Sequence, residues 1–113
     1  MKATYVQKGD SIDYTPSADV NAGDVIVLGT NMLGIAKLDI KTGELGALSL
    51  VGVFDMPKAT GSGTAIERGV NTYWDATNQV VTTDSNSGAN VHVGRTIAAS
   101  ADDDATVRVR LRQ

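Results

Sequence analysis

Twelve glycines punctuate this chain, and almost nothing between them keeps the 3.6-residue apolar spacing of an amphipathic helix. What remains is alternation and short β-branched runs, which only strands can bury economically. ATYVQ (3–7) and SIDYT (11–15) read as strands around a KGD turn. DVIVLG (24–29) is an unbroken apolar run, the pattern of a strand buried on both faces. MLGIAKLDI (32–40) alternates, and ELGALSLVGVFDM (44–56) gives one long or two short strands. VNTYWD and QVVTT, then VHVGRTIAAS (91–100) and ATVRVRLRQ (105–113), complete the set. The expected fold is all-β, with residues 1–113 as one small domain. It is a β-barrel or a barrel-like sandwich of short strands, with at most one helical turn. That turn is placed at TAIERG, where Thr64 and Glu67 have capping-box spacing and Gly69 would end it.

One pattern recurs: an apolar residue, two further residues, a glycine, then a strand. It starts at Val20 (VNAG), Ile40 (IKTG) and Ile66 (IERG). The glycine supplies a turn conformation and the apolar residue pins the turn to the core. The irregular spacing points to a shared local solution and not to a duplicated unit.

The core must be built from aliphatic residues, because the aromatics are only Tyr5, Tyr14, Phe54, Tyr73 and Trp74. So small a core is marginal in a 113-residue chain, and self-association is a common remedy. The formal charge of −3 argues against a nucleic-acid partner. Without cysteine there is no disulfide framework, thiolate metal site or cysteine nucleophile. The start MKATYVQKGD lacks a secretory apolar segment, and no apolar run approaches the ~20 residues of a membrane helix. A product made in a cytoplasm is expected.

The motifs that could carry chemistry fail on their missing parts. TGSGTAIERG (60–69) is glycine-rich, yet it has no Lys-Ser/Thr pair for a phosphate loop. Ile66 stands where the dinucleotide fingerprint needs glycine, so a flexible surface loop is expected. DSNSGANVHVGR (84–95) puts Ala89 and Arg95 where a calcium loop needs glycine and a bidentate glutamate. His92 is the only histidine, with no second imidazole or thiolate to share a metal. Asp102, Asp103 and Asp104 read as a solvated turn before the last strand. No catalytic, cofactor or metal residue is assigned.

Two features bear on binding. Trp74 and Tyr73 are adjacent on a strand, so they point to opposite faces and cannot form one flat sugar platform. Trp74 is expected to plug the core, with Thr72 and Val70 on its face, and Tyr73 to be the exposed member. Asp75 is expected to open a turn through its carboxylate, with Asn78 in the left-handed conformation. In the last strand Val107, Val109 and Leu111 share one face, and Arg108, Arg110 and Arg112 the other. The arginines fit either a solvated face that discourages edge pairing or an interface with an acidic partner or a sister subunit. Arg108, Arg110, Arg112 and Tyr73 are the candidate interface residues.

MKATYVQKGDSIDYTP, AGDVIVLG, GELGALSLVGVFDMPKATG, YWDATNQVVTT and DATVRVRLRQ, in that order, resemble the small tailed-phage capsid cement or decoration proteins. The family was long a domain of unknown function, with some members labelled recombinase-like, a label the missing phosphate loop contradicts. The tip TTDSNSGANVHVG is longer and more polar than the family pattern. The resemblance implies a structural virion protein on the capsid exterior, made in a bacterial host and in some cases encoded by a prophage. Its implied partner is the major capsid protein, with a homo-oligomer, a trimer foremost. It implies no enzyme activity, cofactor, nucleic acid, membrane or small-molecule substrate. The alternative is a small carbohydrate- or protein-binding β module without catalysis.

Overall fold

Each of the three apolar-x-x-glycine segments folds into a tight turn whose leading residue is buried. These turns organise nine strands in a computed structural model that describes residues 1–112; Gln113, the end of the expected last strand, lies outside them. The strands are β1 (Ser11–Tyr14), β2 (Val25–Leu28), β3 (Met32–Ala36), β4 (Gly46–Ser49), β5 (Gly52–Pro57), β6 (Asn71–Asp75), β7 (Val80–Thr82), β8 (Val91–Thr96) and β9 (Thr106–Leu111). They form two antiparallel sheets, ordered β1-β4-β3-β2 and β5-β9-β8-β6-β7. The fold is all-β and sandwich-like; of the two expected forms, the closed barrel is not the one adopted.

The two sheets are copies of one plan. β1, β2, β3 and β4 correspond to β5, β6, β8 and β9, in the same spatial order. The registers also correspond. Ile26 faces Gly34 as Thr72 faces Gly94, and Ala36 faces Leu48 as Thr96 faces Val109. Ile12 faces Leu48 as Phe54 faces Val109. The recurring turns are the joints of this plan. Val20 and Ile40 exchange two backbone hydrogen bonds of 2.8 Å, and Ile66 exchanges two with Ser100. The turn motif therefore marks a repeated structural unit, which corrects the expectation of a merely local solution. Its fourth occurrence, Ser100 to Asp104, has neither the apolar residue nor the glycine. It still closes with Asp104 N–H donating to the Ala101 carbonyl, as Glu44 N–H donates to that of Lys41.

The units stack head to tail. The inner face of the second sheet (Met56, Trp74, Val91, Val93, Val107, Val109, Leu111) packs with Leu33, Ile35 and Val25 from the back of the first. The front of the first sheet carries a separate cluster of Val20, Ala36, Ile40 and Leu48, flanked by half-buried Ile12, Tyr14, Ile26 and Leu28. Position in the stack explains side-chain choice. Val25 and Ile35 lie between layers and are apolar. Their counterparts Asn71 and Arg95 lie on the free back of the second sheet and are polar.

Several local expectations change. Residues 3–7 form no strand; the whole segment 1–10 is exposed. β2 does pack apolar clusters on both faces, but as an edge strand it is only partly covered, with Val27 38% exposed. Residues 44–56 split into β4 and β5, which belong to different sheets. TAIERG is not helical: Thr64 Oγ1 donates to the Gly61 and Asp102 carbonyls and caps nothing. Among the described residues the single 3₁₀ turn is at Asn86–Gly88, in the polar tip.

Candidate functional site

The β6–β7 hairpin settles the tryptophan. Asp75 Oδ1 accepts the Thr77 and Asn78 amides at 3.0 and 3.1 Å, and Oδ2 accepts Asn78 Nδ2 at 2.8 Å. These bonds, the Asn78 side chain first, hold the Asp75 carboxyl below its usual range. The left-handed residue is Gln79, at φ 56°, and not Asn78. Trp74 is buried beside Thr72, with Val70 packed on the same cluster, as expected. The indole therefore offers no sugar platform, and the carbohydrate reading loses its main residue.

Lys58 is the one buried lysine or arginine among the described residues. Its Nζ donates to the carbonyls of Ala59 at 2.7 Å and of Ala101 and Asp104 at 3.0 Å, with longer contacts of 3.4 Å to Thr64 Oγ1 and the Asp102 carbonyl. The Asp102 and Asp104 carboxylates accept the Ala65 and Ala101 amides. The aspartate run is thus a hydrogen-bonded turn that fastens the glycine-rich loop, and no group of three metal-ligating side chains occurs among the described residues. Lys58→Met keeps the aliphatic stem and removes the charged donor. It should cost about 2 kcal/mol in urea unfolding. An unchanged midpoint would mean that the ammonium is dispensable.

The arginines lie where expected, with Val107, Val109 and Leu111 buried beneath them. β9, however, is an interior strand between β5 and β8, so these charges guard no sheet edge. Arg108 faces Asp55 across the ladder and binds it with both ends of its fork, at 2.8 and 3.1 Å. That contact holds the Asp55 carboxyl below its usual range and pushes Arg108 up. Arg110 has no such partner among the described residues. It faces Val53 on one side and Arg95 on the other, a like-charged pair placed directly opposite in the ladder. Arg95 Nε donates to Asn71 Oδ1 at 3.2 Å. Arg95, Arg110, Arg112 and exposed His92 line one open depression of 510 Å³. Half-buried Tyr73 sits at its side with its ring 5.5 Å from that of His92. The structure thus places two of the four candidates, Arg110 and Arg112, in this depression, leaves Tyr73 beside it against His92 and half-buried where exposure was expected, and sets Arg108 aside in an ion pair. Sequence reasoning missed Arg95 and weighed His92 only as a metal ligand, because the β8–β9 and β6–β8 pairings that place them here are long-range.

The arrangement presents Arg95, Arg110 and Arg112 together on one face of the second sheet. Such a cluster of like charges is suited to an anionic partner. A family model described as "Phage cement protein" matches residues 6–111. No match is found among curated proteins or among solved structures. The match spans both structural units and every strand, and the chain belongs to the phage cement protein family.

Proposed function

We propose that this protein binds the outside of a bacteriophage capsid, through the major capsid protein, and stabilises the head lattice. The family match over residues 6–111 carries the reading. The back of the second sheet is the proposed contact. Arg95 and Arg110 repel one another in the free protein, and carboxylates on a capsid subunit would relieve that repulsion. In this reading the two sheets act as one domain joined by their shared core, the protein reacts with no substrate, and many weak copies act together across subunit junctions.

Co-sedimentation with cognate heads lacking the protein tests the contact. Wild-type protein should bind stoichiometrically. Arg110→Glu/Arg112→Glu should weaken binding by on the order of 100-fold while far-UV circular dichroism stays unchanged. Arg108→Glu should weaken it less, since Asp55 already neutralises Arg108. Equal binding by the double variant would return the arginines to a solvated face.

A further inference from the structure

The correspondence between the two sheets leaves one position unfilled. In the second sheet β6 is followed by β7, whose Val80, Val81 and Thr82 pair with Asp75, Trp74 and Tyr73. In the first sheet the counterpart of β6 is β2, and it is the last strand. No backbone bridge or turn hydrogen bond reaches its outer side among the described residues. Asp24 accepts the Ala36 amide, so in an antiparallel ladder Ile26 and Leu28 bond β3, and Val25 and Val27 turn their amides and carbonyls outward.

That edge is also unguarded. The other edge strands carry the usual deterrents: Asp13 in β1, Asp55 and Pro57 in β5, and only three residues in β7. β2 is Val-Ile-Val-Leu, with no charge and no proline. An aliphatic edge with free amides is a template for strand addition.

The same chain holds a segment suited to it. Residues 3–7, ATYVQ, have strand composition but join no β-ladder among the described residues, Gln7 Nε2 donating only to the nearby Ser11 carbonyl; Tyr5 and Val6 are each 83% exposed. This segment leads into β1, which is the opposite edge of the sheet from β2. We infer that the segment 3–7 of one copy adds to β2 of a second copy, completing the first sheet at the place that β7 fills in the second. Donor and receiver are different surfaces, so copies associate reciprocally or in a closed ring, a trimer among them. This goes beyond the capsid reading and does not depend on it.

Sedimentation velocity without capsids tests it. The full chain should sediment as an oligomer. A chain lacking residues 1–9 should sediment as a monomer with unchanged circular dichroism, and so should Val6→Pro, which alters only an exposed residue. Val27→Pro, which removes an outward amide and spares the bonds to β3, should act alike. A truncated chain that associates as the full chain does would overturn the inference. So would a monomeric full chain, whether its leading segment proves to be bound within the same molecule or is needed only for binding to heads; in the latter case the receiving strand belongs to the capsid.

Discussion

Gly94→Ala is expected to abolish the native fold. A Cβ at Gly94 would lie 1.9 Å from the Arg110 carbonyl oxygen and 3.2 Å from the Arg112 amide nitrogen. Both obstacles are backbone of β9, so no rotamer change relieves the clash. Gly94 faces Leu111 across β9 and Thr72 across β6, next to a shift in the β6–β8 register. Room for a methyl group requires β8 and β9 to separate, and with them the Arg112 amide bond to the Val93 carbonyl. It would also disturb Thr72 Oγ1, which donates to the Gly94 carbonyl at 2.8 Å. The expected cost is above about 4 kcal/mol, most of the stability of an ordinary small domain. Gly43→Ala is the control. Nothing lies within 4 Å of a Cβ there, so only the strain of φ 79° remains, about 1–2 kcal/mol. Equal urea midpoints for the two variants would show that crowding at Gly94 is not what constrains it.

Trp74→Ala is the second large effect. Trp74 is 3% exposed in the cluster that joins the two sheets, among Leu33 and Ile35 of the first and Val81, Val91 and Val109 of the second. Its loss removes the largest side chain from the layer that holds the units together. The expected cost is about 4 kcal/mol, because strands cannot collapse into so large a void. Since the cluster spans both sheets, unfolding should remain a single transition, at a lower urea midpoint. A variant that keeps wild-type stability would place the indole outside the core. Two separate transitions in the wild type would show that the units fold independently.

Much of this was legible because strands write their faces into sequence. Val107, Val109 and Leu111 alternate with three arginines, and that alternation gave both the strand and its buried side. Asp75 disclosed its turn through its position between two strand-like runs. The repeat was half visible. Three turns carry an apolar residue and a glycine, but the fourth uses Ser100 and aspartates. β7 and the polar tip then intervene between β6 and β8, where residues 29–31 suffice between β2 and β3, so no constant period survived. The segment 3–7 misled because strand composition states what a chain can pair, not whether a partner is present. The convergence of Arg95 with Arg110 depends on long-range register, which no local pattern encodes. Lys58 was invisible for the same reason: its carbonyl partners at 101–104 are distant in sequence.

The most direct measurement of the central claim is the temperature at which cognate heads lacking this protein release their genome, recorded as purified protein is added. A reinforcing protein should raise that temperature with occupancy and level off at a fixed number of copies per head, and the double arginine variant should raise it little at the same concentration. Heads that bind the protein to saturation with no change in release temperature, or that do not bind it, would contradict the account.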